Sequence, residues 1–96
     1  MSRGLVLRRR AAGEAKEAHD WYEARGTGLG DAFLGELEQV LRVIEEHPLR
    51  FPIIYRDVRR ALTRRFPYAI WFRIRDERVV VLAVLHQARD PARRPR

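Results

Sequence analysis

The chain contains no cysteine, which excludes disulfides and any metal held by thiolates. A reducing compartment, the cytoplasm, suits such a composition. Long apolar stretches are missing from its start. Met1-Ser2-Arg3-Gly4 leads into only Leu5, Val6 and Leu7 before Arg8, too short a run for a signal-peptide core or a membrane span. No internal repeat or low-complexity linker interrupts the sequence. Histidine is sparse, and His19 and His47 share no metal-ligand spacing with each other or with His86, so no metal is expected. The glycines at Gly26, Gly28 and Gly30 do not form a phosphate-binding loop, because they follow a helical pattern rather than a strand and lack the required spacing.

What is present describes one small folded unit. Ninety-six residues, 46% of them apolar, amount to a single domain over residues 1–96 with enough apolar surface for a core. The formal net charge is +7, and its distribution carries more information than its size. Residues 1–10 carry +4, residues 11–47 carry −6 and residues 48–96 carry +9. Nineteen of the twenty basic side chains are arginine, and a coding bias towards arginine would raise the basic count throughout. Such a bias does not separate the signs. An acidic first half and a basic second half imply one face for an anionic partner, either nucleic acid or an acidic protein segment, set against the plainer reading of a solvated face.

Periodicity sets the architecture. Leu5-Val6-Leu7 reads as a short strand. Ala11, Ala15, Ala18 and Tyr22 then fall at helical spacing, with Glu14, Glu17, Asp20 and Glu23 mostly elsewhere on the cylinder. The glycines of residues 26–30 break that helix. A second follows on the stripe Leu29, Phe33, Leu37, Val40 or Leu41, and Ile44, and Pro48 cannot continue it. After Pro52 the period becomes two. Ile53-Ile54-Tyr55 is extended, Val58 to Phe66 alternates, and Tyr68 to Ile74 is rich in aromatic and β-branched residues. Val79 to Leu85 is continuously apolar, as a strand covered on both faces would be. The expected fold is α+β: an N-terminal strand, a helical hairpin and a three-stranded antiparallel meander. Residues 88–96, with two prolines and four arginines, read as a fraying basic tail.

The ordered set of short segments resembles the RelE/ParE toxins of bacterial type II toxin–antitoxin systems. It comprises Trp21-Tyr22-Glu23, Gly28-Leu29-Gly30-Asp31 with Phe33-Leu34, and His47-Pro48 through Arg50-Phe51-Pro52. Asp57-Val58-Arg59-Arg60, Phe66-Pro67-Tyr68, Val80 to His86 and Arg89-Asp90-Pro91 complete it. The resemblance spans about Leu5 to Pro91. It implies a toxin without cofactor, neutralised by a cognate antitoxin whose C-terminal segment wraps around it. Such a segment could lay acidic residues on the arginines and apolar ones in a groove.

The resemblance leaves the target open between DNA gyrase, as in the ParE-like branch, and messenger RNA on the ribosome, as in the RelE-like branch. Metal-free RNA cleavage needs groups that activate the 2′-hydroxyl and protonate the leaving oxygen. The RNA-cutting branch has a basic residue on the strand after the hairpin turn and a tyrosine near the C-terminus. Here the strand position is Ala69 and the chain ends Arg94-Pro95-Arg96. Only the arginine after the last strand is kept, as Arg89. The gyrase-directed reading therefore ranks first.

Should the chain cut RNA, Arg89 and His86 are the catalytic candidates; the alternative for His86 is to cap the strand end by hydrogen bonding. Arg59, Arg60, Arg65 and Arg73 are the candidates for binding an anion or a partner. Trp21 and Tyr22 read as packing anchors. Tyr68, Trp71 and Phe72 could stack bases or fill the core. A plain RNA-binding module is a third reading, although the element order departs from the common RNA-recognition fold.

Overall fold

The computed structural model describes residues 4–89, the side chain of Arg89 excepted. Residues 90–96 of the expected tail lie outside the described residues. The elements run β1 (Leu5–Leu7), α1 (Arg9–Arg25), α2 (Leu29–Glu46), a 3-10 turn (Pro48–Arg50), β2 (Ile53–Tyr55), β3 (Val58–Leu62), β4 (Tyr68–Arg75), β5 (Arg78–His86) and a final 3-10 turn (Gln87–Arg89). One sheet, ordered β1-β5-β4-β3-β2, holds all five strands. β1 runs parallel to β5, and the remaining pairs are antiparallel. The expected α+β order is observed, with one addition: Ile53–Tyr55 joins the sheet as an edge strand beside β3.

The helices lie on one face of the sheet because their apolar stripes and one side of each strand match. Ala11, Ala15 and Ala18 from α1 and Phe33, Leu37 and Ile44 from α2 are buried against Ile70, Phe72, Val79, Val81 and Val84. Small alanines on α1 let that helix approach closely, while α2 supplies the bulk. Tyr22, Phe33, Phe66 and Tyr68 form an aromatic knot between the hairpin and the sheet. Its ring centroids are 4.8 Å apart for Tyr22–Phe66 and 5.0 Å for Phe33–Tyr68. Both pairs are edge-on, the arrangement that ring quadrupoles favour.

The hairpin turn is built by a side chain. Glu23, near the end of α1, accepts the backbone N–H groups of Gly28 at 2.8 Å and Gly30 at 2.9 Å. It thereby satisfies donors that the first turn of α2 leaves without helical partners. Those two bonds, Gly28 first, hold the Glu23 carboxyl below its ordinary range. Gly28 has φ of +84°, a left-handed conformation that glycine adopts without steric cost. Gly30 lies inside α2, not in the turn, and touches α1. A Cβ there would lie 2.5 Å from the His19 carbonyl oxygen.

The alternating run beginning at Val58 stops at Leu62, four residues before the expected Phe66. Glu36 on α2 accounts for the stop. Its Oε2 accepts Arg64 N–H at 2.6 Å and Arg65 N–H at 2.9 Å, and its Oε1 accepts Phe66 N–H at 3.2 Å. Buried Thr63 closes the loop by donating to the Phe66 and Tyr68 carbonyls and accepting from Tyr68 N–H. Backbone donors that a longer strand would direct into the ladder are instead gathered on one carboxylate.

A bulge sets the phase of β5. Trp71 pairs with Ala83 while Phe72 pairs with Val81, so Leu82 is an extra residue on β5. Val81 and Val84 therefore face the helices, and Leu82 and Ala83 both join the cluster on the opposite side. The continuous apolar run of β5 serves both faces, as its composition suggested.

Candidate partner interface

The sheet face turned away from the helices carries a second apolar cluster: Val58, Ala69, Trp71 and Ala83 are buried, with Ile54, Leu82 and Leu85 packed beside them. Leu62, in register with Ala69, is 49% exposed, and Val6, in register with Val80, is 41% exposed. None of the described helices covers this face. Its apolar residues lie among cations, as expected of a surface that meets another chain.

Trp71 is the centre of the face. It is 7% exposed, and the Arg60 guanidinium carbon lies 5.8 Å from the ring centroid, within cation–π range. Arg73 follows two residues along β4 on the same side, its Nη2 3.6 Å from Asp57 Oδ1. Two donors here are buried without an acceptor among the described residues, Trp71 Nε1 and Arg73 Nε. A buried donor without a partner costs about 1–3 kcal/mol. Both lie beneath the surface of the face, so an acceptor reaches them only if the side chains around them move.

The candidate residues separate into different places. Arg60 and Arg73 meet around Trp71. Arg59 faces the helix side, in register with Phe72, where its Nη1 donates to the Phe51 carbonyl at 2.6 Å. That arginine ties the β2–β3 region to the segment after α2. Arg65 sits in the β3–β4 loop with its guanidinium 5.0 Å from the Phe66 ring centroid, and its own N–H belongs to Glu36. His86 is on the helix side too, its ring 5.3 Å from that of Tyr68. Its Nδ1 accepts Ala88 N–H at 3.0 Å, which leaves Nε2 as the ring's N–H. His86 thus caps the strand end while lining a cleft with Tyr68. The Arg89 side chain lies outside the described residues.

Of Tyr68, Trp71 and Phe72, which could stack bases or fill the core, only Trp71 lies on the face away from the helices. Strict alternation supplied the missing signal: Tyr68, Ile70 and Phe72 share the helix side, so Ala69 and Trp71 occupy the other. A second grouping comes from the hairpin. Ligand atoms of His19, Glu23 and Asp31 lie within 4.8 Å of one another and could take a metal ion. Glu23 is already committed to two N–H groups, however, and the positive end of α2 opposes a cation there. His19 lies between carboxylates, 2.9 Å from Asp20 and 3.2 Å from Asp31. Its hydrogen bond to Asp20, assisted by Asp31, raises it above its ordinary value of 6.5.

A small α+β protein with helices on one sheet face and a cationic, apolar opposite face presents a surface of the kind that meets other macromolecules. Comparison with known proteins places it further. The family described as "ParE toxin of type II toxin-antitoxin system, parDE" matches residues 5–91, and the chain belongs to that family. Among solved structures it is similar to one of the chromosomal ParDE TA system from P. aeruginosa. The two share 17% identity with a TM-score of 0.72, over 86% of this chain and 94% of that one, a likeness of fold. No curated protein sequence matches closely enough to count as a relative.

Proposed function

We propose that the chain is a growth-inhibiting toxin, neutralised by a cognate antitoxin, that acts by binding DNA gyrase. The antitoxin lays an extended acidic and apolar segment over the open sheet face. Its carboxylates meet Arg60 and Arg73, and its apolar residues meet Leu62 and Leu82. The solved ParDE relative is itself a toxin–antitoxin system, which supports such a partner here.

The observation that carries the choice of target is Ala69. It is fully buried in the middle of the open face, at the strand position where the resembling nucleases have a basic residue. The cations left on that face are guanidiniums, which stay protonated at any physiological pH. They bind anions and do not shuttle protons, so the face suits recognition better than general acid–base chemistry. The test is a supercoiling assay with purified gyrase and the chain in excess. Inhibition relieved by the antitoxin is expected, and unimpaired supercoiling would refute the reading. Cleavage of message on translating ribosomes in a parallel assay would instead favour the nuclease reading, with His86 and Arg89 as its candidates.

A further inference from the structure

A cleft of about 500 Å³ opens on the helix side between α1 and the end of β5. It is lined by Glu14, Glu17, Trp21, Tyr22, Tyr68 and His86, together with Val84 and Leu85. Open-face residues Arg60, Arg73 and Trp71 lie across the sheet from it. The antitoxin contacts proposed above make no use of this cleft.

Among the described residues no strand pairs with its backbone margin beyond β1. β1 pairs with β5 only through Leu7, opposite Val81, whereas β5 continues to His86. Gln87 N–H donates to the Pro67 carbonyl, on the β4 side, and Val84 N–H turns the other way, to Glu14 Oε1 at 2.8 Å. By strand alternation Val84 C=O and His86 N–H also point away from β4. A single residue of a parallel strand, placed opposite Leu85 and continuing the line of β1, can bond both groups. Strand addition of this kind draws affinity from main-chain bonds and selectivity from side-chain pockets.

The pocket specifies the side chain. Glu14 is occupied by Val84 N–H and by Arg10 at 2.9 Å, but Glu17 has no partner among the described residues. Trp21 is 52% exposed and already carries a guanidinium, that of Arg25, 3.4 Å from its ring centroid. Tyr22 and Tyr68 complete an aromatic wall. A free carboxylate beside aromatic faces selects a cation. The surrounding helical half of the chain is itself acidic, at −6 over residues 11–47, and attracts one from a distance.

We infer that this cleft is a docking slot for an extended segment of a partner protein, which adds as a strand beside Val84–His86 and sets a lysine or arginine against Glu17, Trp21 and the two tyrosines. The inference stands apart from the proposed gyrase reading and from the open sheet face. Its test is to pan a random nine-residue peptide display library against the full chain and to synthesise the enriched peptides. Those peptides should carry a basic residue between apolar ones and shift the amide resonances of residues 84–87. They should bind Glu17→Lys about tenfold or more weakly, a loss of about 1.4 kcal/mol or more, and Arg60→Glu as tightly as the parent. Glu17 is exposed and has no partner among the described residues, so the variant should fold, and the parent's amide dispersion checks that it does. No enrichment, acidic binders that map to the open face, or affinity indifferent to Glu17→Lys would each overturn the inference. So would concentration-dependent self-association abolished by Glu17→Lys, because the occupant would then be a second copy of this chain.

Discussion

Replacing Gly30 by alanine should unfold the hairpin's contact with itself. The new Cβ would lie 2.5 Å from the His19 carbonyl oxygen, 2.7 Å from His19 Cδ2 and 2.9 Å from Glu23 Oε1. A ring or a carboxylate can rotate aside, but the carbonyl belongs to α1 and yields only if the helices separate. Overpacking of this kind costs about 1–3 kcal/mol. Displacing Glu23 also weakens the bond that it accepts from Gly30 N–H, and hydrogen bonds to charged groups contribute about 1.5–3 kcal/mol. Alanine returns about 1 kcal/mol through its better helix propensity, so the net loss is roughly 2–4 kcal/mol. For a domain of this size each kcal/mol moves Tm by roughly 4–8 °C, and thermal unfolding by circular dichroism should fall by at least about 8 °C. Gly35→Ala is the internal comparison. It too lies within α2, nothing stands within 4 Å of its would-be Cβ, and the same substitution should stabilise by about 0.5–1 kcal/mol. Equal shifts at the two positions, or a Gly30→Ala protein melting with the parent, would refute the claim that close helix approach rather than helix propensity selects Gly30.

Three other outcomes are expected. Glu36→Ala removes the acceptor of three loop N–H groups and should lower stability by about 1.5–3 kcal/mol in urea denaturation, with the largest gain in amide exchange at Arg64, Arg65 and Phe66. Stability should form a plateau in pH. Asp20, held low by His19 and then Lys16, and Glu23, held low by Gly28 and Gly30, contribute stability above their unfolded values and lose it as pH falls through the lowered folded ones. His19, held high by Asp20, contributes fully below 6.5 and loses its share as pH rises through its raised folded value. His19→Gln should abolish that alkaline decline, measured by urea midpoints across pH, and an unchanged profile would count against the His19–Asp20–Asp31 contact. Joint reversal of Arg60 and Arg73 to glutamate should weaken antitoxin binding about a hundredfold or more by calorimetry. The same change at Arg59 should mainly destabilise the fold, because that guanidinium bonds the Phe51 carbonyl.

The fold was legible where periodicity reports burial directly. The alanine stripe of α1, the Phe33–Leu37–Ile44 stripe of α2 and the two-sided apolar run of β5 all bury the residues that their spacing implies. What alternation does not report is an acceptor supplied from elsewhere in the chain. Glu36 lies twenty-eight residues before Arg64, and no local pattern announces that it ends β3 at Leu62. The arginines show the same limit. A count of charges marks the second half of the chain as basic, but it gives Arg59, Arg60 and Arg65 equal standing. Tertiary placement then ties Arg59 to a carbonyl, lays Arg65 beside Phe66 and leaves Arg60 over Trp71.

The single extra residue at Leu82 connects both surfaces of the sheet. Side-chain direction in a strand has a period of two, so one inserted residue exchanges the faces of everything beyond it. Val79 and Val81 point to the helices before the bulge. Without it, Ala83 and Leu85 would follow them inward, and Val84 and His86 would turn to the open face. The insertion instead sends Leu82 and Ala83 together beneath the Trp71 face and returns Val84 to the helix side. There its N–H reaches Glu14, and His86 comes against Tyr68. The apolar density of the cationic face and the aromatic wall of the acidic cleft therefore share one origin. A bulge weakens the local ladder, and in this chain the two surfaces that it builds are those for which partners are proposed.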